Sequence, residues 1–174
     1  MKYKIIKKPN PDEYAAYFQR YTDLAIEENI VKTLEDQLCE TVSYYDSLNE
    51  SEFDFRYAPG KWSIKEVIIH VLDCERIFNY RALRFARKDN TPLSGFEQDD
   101  YINNTVWENY PIKSIIEEYE LVRKHTIVLF NNMTEEMLNQ SGISSDMNLS
   151  VRAIPFIIAG HERHHLNVIK SKYL

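Results

Sequence analysis

Three of the five histidines crowd into one run, Gly160-His161-Glu162-Arg163-His164-His165. Neutral imidazole is the commonest side-chain metal ligand, so the way these rings face decides what they can do. At about 100° per residue, positions four apart on a helix differ by ~40° in azimuth and ~6 Å in rise, which puts His161 and His165 on one face. With Ile154 as zero, the apolar positions Val151, Ile157, Ile158, Val168 and Ile169 average about 10°, with His161 near about −20° and His165 near about +20°. Both sit in mid-stripe. His164 falls at about −80°, at the stripe's edge, and is the weakest ligand candidate of the three.

Two imidazoles in an apolar stripe need partners, because a buried polar ring left unsatisfied costs roughly 1–3 kcal/mol. A hydrogen-bonded core pair would satisfy them. A metal ion would do so as well, but an i, i+4 pair cannot fill a tetrahedral shell, so a third ligand must come from another helix and a fourth position stays open. His70 is the candidate: it borders the stripe of Val67, Cys74, Ile77 and Phe78. An open three-histidine site acts as a Lewis acid, lowering the pKa of bound water or taking an anionic oxygen or sulfur ligand.

Four charged neighbours of His70 are candidates for catalysis. Glu66 or Asp73 could orient a ligating imidazole or take a proton, and Arg81 and Arg84 could hold an anionic substrate. The plainer roles are helix capping for Glu66 and surface ion pairing for the two arginines. His125 reads as a surface or packing residue, Glu162 and Arg163 as a solvated face, and Trp62 and Trp107 as core or lid aromatics.

These groups require helices to position them. Only four glycines and six prolines occur, and the prolines sit mostly at helix edges, so long helices with short connections are expected. Asn10-Pro11-Asp12-Glu13 starts a short helix over 11–21. A first long helix follows over 29–47, with Ile30, Val31, Leu34, Leu38, Val42 and Tyr45 on one face. Ser63-Ile64-Lys65-Glu66 has capping-box spacing and opens the second, over 63–87. Residues 89–110 form a long crossover of the kind that covers a site or contains helix of its own. Pro111 opens the third, over 111–131; Thr134 caps a short piece; 141–148 is a loop; Ser150 caps the last helix, which reaches Lys172. The expected fold is all-α, a four-helix bundle in one domain spanning residues 1–174.

At 174 residues and 20.7 kDa the chain can bury a core without disulfides or a structural metal, so a metal here would serve chemistry. Cys39 and Cys74 form no CxxC motif and read as two buried thiols. The formal charge of −6 argues against a phosphate-backbone partner, and no apolar run approaches the ~20 residues that span a bilayer. The first residues lack the apolar region of a signal peptide, so a cytoplasmic location is expected.

The run from Tyr57 through Pro59-Gly60-Lys61-Trp62-Ser63 to His70, Arg81-Ala82-Leu83-Arg84 and Ala159-Gly160-His161-Glu162-Arg163-His164-His165 together resemble the DinB-like (DNA-damage-inducible) metalloprotein superfamily. This is the helical-bundle superfamily related to bacillithiol and mycothiol S-transferases, and the similarity spans nearly the whole chain. The resemblance implies a four-helix bundle in which His70, His161 and His165 bind one divalent metal, often zinc or nickel, at the bottom of a pocket. It implies a metal-dependent enzyme acting on a small molecule, either a hydrolase or a transferase of a low-molecular-weight thiol, and a possible homodimer. A stress-associated protein that binds a metal or small molecule without turnover is the alternative. The long 89–110 crossover departs from simpler members.

Overall fold

The computed structural model describes residues 3–106 and 109–173. Trp107, expected as a core or lid aromatic, lies outside the described residues. Among the described residues, seven α-helices and one hairpin follow in order: α1 (Gln19–Thr22), α2 (Ile30–Asp46), α3 (Ile64–Ala86), α4 (Gln98–Asn103), α5 (Ile112–Asn131), α6 (Glu135–Leu138), β1 (Ser141–Ser144), β2 (Met147–Ser150) and α7 (Ala153–Lys172). The long helices α2, α3, α5 and α7 form the bundle, with α5 and α7 each packed against both α2 and α3. Thus α2 and α3, consecutive in the chain, stand at opposite corners.

The helices start where local chemistry satisfies their free N–H groups. Asn29 accepts from the Lys32 amide at the head of α2. At α3 the Ser63 hydroxyl accepts from the Glu66 amide, and the Glu66 carboxylate takes the Ser63 N–H at 2.7 Å, the expected reciprocal box. The Ser150 hydroxyl accepts from the Ala153 amide at the start of α7. Leu34, Leu72, Phe130 and Phe156 are among the fully buried side chains that fill the space between helices.

Two expectations change in detail. The 11–21 segment is not one helix but the 3-10 turns Pro11–Glu13 and Ala16–Phe18 followed by the single turn of α1. Residues 141–148 are not a loop: β1 and β2 pair antiparallel, Ser141 with Ser150 through Ser144 with Met147. Their two-residue turn holds Ser145 at φ 52° and Asp146 at φ 61°, the left-handed pair that matches the twist of a hairpin. The 89–110 crossover contains α4 and is pinned to this hairpin, because the Leu93 N–H donates to Ile143 and the Ser145 N–H donates to Leu93, both at 3.0 Å.

Cys39 is exposed, against expectation, while Cys74 is buried. Glu162 overturns the expectation of a solvated face. It is 1% exposed and accepts from Thr41 of α2 and Tyr119 of α5, each at 2.9 Å, and from Arg123 of α5. Arg123, fully buried, also holds Glu75 of α3 through two bonds of 2.8 Å. One guanidinium thereby ties all four bundle helices together, since its Nη1 also donates to the Leu34 carbonyl of α2 at 3.4 Å. Among the described residues, no helix is long and apolar enough to cross a membrane.

Candidate metal centre

Helix α7 is held at a fixed rotation. Gln37 of α2 donates to the Ala159 carbonyl at 3.0 Å, and Glu162 is clamped from two helices. At Gly160 the chain admits no side chain, since a Cβ there would lie 1.8 Å from the Tyr21 carbonyl oxygen. With those sides of α7 committed to α1, α2 and α5, His161 and His165 turn toward α3, where His70 meets them.

The three rings converge through their Nε2 atoms. His161 Nε2 lies 3.1 Å from His70 Nε2 and 3.1 Å from His165 Nε2, and the three ligand atoms all fall within 4.8 Å of one another. Among the described residues this is the group of histidine, cysteine and acidic side chains placed to share an ion. His70 and His161 are buried and His165 is half-buried. His164 is left outside the cluster, its ring packed on Tyr21 and His165.

Burial holds His70 down at about 4, and burial with the neighbouring rings holds His165 at about 3 and His161 well below the usual histidine range. All three are therefore neutral near pH 7, the form that ligates a metal. Hydrogen bonding alone accommodates the cluster poorly. The single Nε2 of His161 can carry a proton or a lone pair, and it faces two other Nε2 atoms at the same distance. A tetrahedral ion with bonds of 2.0–2.1 Å separates its ligand atoms by about 3.3 Å, close to the two 3.1 Å contacts. The donor set fits a divalent ion.

Aromatic and sulfur groups hold the rings in place. Tyr21 meets His161 edge-on at 5.1 Å between centroids, and Trp62 lies 4.8 Å from His70. Cys74, one turn along α3, places Sγ 3.7 Å from His70 Nδ1. Burial pushes its thiol up to about 12, so it stays protonated. A cavity of about 270 Å³ opens from His70 and His161, walled by α3, the N-terminal turns, the crossover and the hairpin. A second, of about 530 Å³, reaches His165 from the side of Trp62 and Tyr173.

The charged candidates are not all brought to the rings. Arg81 lines the smaller cavity with His70 and His161. Glu66 is held in its cap and by the Arg56 guanidinium, away from both cavities. Asp73 pairs with Arg76, which reaches Glu118 on the α5 side, and Arg84 pairs with Asp89 and the Tyr80 hydroxyl. His125 is exposed. Of the residues that position α7, Arg123, Glu75 and Gly160 were given no role from the sequence, and Glu162 was read as solvated. The one available signal was the azimuth of Glu162, about 100° from His161 and thus at the border of the stripe rather than opposite it.

A sequence profile described as the DinB superfamily matches residues 33–169, most of the chain and all three converging histidines. The chain belongs to the DinB superfamily. A protein of Oceanobacillus iheyensis, named only provisionally as a metal-dependent hydrolase, is 30% identical over 142 residues, covering 80% of this chain and 79% of its own length. YfiT from Bacillus subtilis, described as a probable metal-dependent hydrolase with an unusual four-helix bundle topology, superposes with a TM-score of 0.75. The match covers 95% of this chain and 91% of YfiT at 12% identity. At that identity the match speaks for the fold, and the DinB-superfamily bundle is the fold expected from the sequence.

Proposed function

We propose that His70, His161 and His165 hold one divalent ion, zinc or nickel, and that the protein is a metal-dependent hydrolase of a small molecule. The observation that carries this reading is the approach of two Nε2 atoms to a third at 3.1 Å, all three rings being neutral, with His70 and His161 lining one cavity and His165 another. The naming of the Oceanobacillus iheyensis relative supports it. Imidazole donors suit zinc, nickel, copper and iron alike, and zinc or nickel is preferred on the family resemblance.

Bound there by His70, His161 and His165, a divalent ion would supply a Lewis acid. The chain's own residues do the rest. Gly160 and Glu162 set the rotation of α7, and Tyr21 and Trp62 keep the imidazoles from swinging. Phe18, Tyr21 and Phe78 exclude bulk water from the cavity side of the rings. Transfer of a low-molecular-weight thiol is the second reading, favoured by the two cavities that reach the histidine cluster from different sides and could admit two reactants.

Elemental analysis of untagged protein should find one ion per chain, lost in His161→Ala. A stoichiometric ion in that variant would overturn the ligand assignment. Assay of the loaded protein against ester, amide and phosphoester panels, beside conjugation of thiols to an epoxide, then separates hydrolysis from transfer. Turnover in neither leaves the binding protein without catalysis.

A further inference from the structure

The cavity at His70 and His161 has a second polar feature at its far end. His70, Cys74, Phe78 and Arg81 follow one another along a single stripe of α3, and all four line the cavity. Eleven residues carry the helix about 17 Å and return it to within about 20° of the same azimuth. Arg81 therefore looks into the same space as His70 from three turns further on, and its side chain, leaning back toward the helix N-terminus, shortens the gap.

Arg81 is unusual in what it lacks. It is 5% exposed, yet it pairs with no carboxylate among the described residues. Arg76, Arg84, Arg123, Arg152 and Arg163, the other buried or half-buried arginines, each have one. Its contacts are one Nη2 donor at 3.5 Å from the Ser94 carbonyl and 3.3 Å from the Ser145 hydroxyl, with the guanidinium 5.6 Å over Phe78. Nε and Nη1 bond to nothing among the described residues. Among the described residues no aspartate, glutamate or lysine lines the cavity, and Arg81 is the one full charge there. Arginine stays protonated in any protein setting, and a buried cation without an anion is costly.

A second group points the same way. Ser144, 5% exposed, lines this cavity, and its hydroxyl has no hydrogen-bond partner among the described residues. A guanidinium with free donors and an unpartnered hydroxyl thus line one space together with Phe18, Phe78, Phe96, Leu149 and two of the clustered histidines, His70 and His161.

We propose that Arg81, with Ser144 lining the same cavity, is its specificity-determining anion site, and that the substrate is a small, elongated organic carboxylate. Its apolar body lies along Phe78 and Phe96, and its reactive group reaches the three histidines. The placing of the reactive end rests on the metal-centre reading above; the anion site does not. The cavity's 270 Å³ lies just under the roughly 300–1,000 Å³ of pockets for drug-sized ligands, so the body is short.

The probes are 4-phenylbutyrate and its neutral isostere 4-phenylbutanamide, titrated calorimetrically into metal-loaded protein with metal content measured on each sample. The carboxylate should bind at least tenfold more tightly than the amide. Arg81→Gln should erase the difference while keeping its ion, Arg81→Lys should retain part of it, and Arg84→Gln should leave it intact. Equal affinities in the unaltered protein overturn the proposal without requiring any variant to fold. A carboxylate preference that survives in Arg81→Gln also overturns it, because the anion then sits on the ion. Retained discrimination in a protein that binds no metal supports the anion site and removes only the metal-centre reading.

Discussion

The carbonyl oxygen of Tyr21 stands where a Cβ on Gly160 would be, so the N-terminal turns and α7 meet backbone to backbone one residue before His161. The same Tyr21 lays its ring edge-on against the His161 imidazole. One contact therefore sets both the distance between two elements and the orientation of a candidate ligand.

Gly160→Ala should displace α1. Overfilling a packed contact costs about 1–3 kcal/mol, and here the obstacle is backbone, which yields less than a side chain. Urea denaturation should show a loss at the upper end of that range, and metal titration should show weaker binding. A variant as stable and as tightly metal-binding as the parent would mean that Tyr21 does not position His161.

His164→Ala should keep its ion. The ring lies in the same run as the two candidate ligands but packs on Tyr21 and His165 outside the cluster. Elemental analysis beside His165→Ala gives the comparison: stoichiometric metal in the first variant and loss in the second.

Metal-free protein should lose stability as pH falls from about 6.5. In the unfolded chain the three histidines take up protons near their ordinary value, whereas in the fold His70 does so at about 4 and His165 at about 3. Between those values the unfolded state binds more protons, so stability rises with pH and falls with acid, levelling only below about 3. Denaturation midpoints measured across this window should have a shallower slope in His70→Ala. An unchanged slope would mean that the ring is not buried in neutral form.

Arg123→Met should be severe. It leaves Glu75 and Glu162, 2% and 1% exposed, without their shared cation, and breaking a buried ionic group in this way costs about 3–5 kcal/mol. Thermal or urea unfolding measures the loss, and a change below about 1 kcal/mol would show that the network does not hold the bundle.

Glu66→Gln should lower stability by about 1 kcal/mol, the usual worth of a helix cap, without changing metal content. Its carboxylate is occupied by the Ser63 N–H and Arg56. A loss of turnover at unchanged stability would instead assign Glu66 to the chemistry.

What could be read from the chain without a structure was whatever depends on near neighbours. The four long helices follow from apolar spacing, and the start of α3 from Ser63 and Glu66 three residues apart. The shared face of His161 and His165 follows from helical geometry. Glu162 was misjudged because a wheel assigns a carboxylate to solvent unless its partner is known, and Arg123 comes 39 residues earlier on another helix. The hairpin was missed because Ser145-Asp146 lacks the Asn-Gly signature of its turn. The isolation of Arg81 could not be seen at all, since the absence of a counter-ion is a property of the whole packing.

The parts that gather the imidazoles and the parts that roof the cavity belong to different stretches of chain. The histidines ride on α3 and α7, two rods locked by Arg123 and Gly160, whereas Phe96, Ser144 and Leu149 come from the crossover and hairpin, joined to each other by the Leu93 hydrogen bonds. Descendants of this chain can therefore exchange one canopy for another and change what is admitted, while the cradle beneath passes on unaltered.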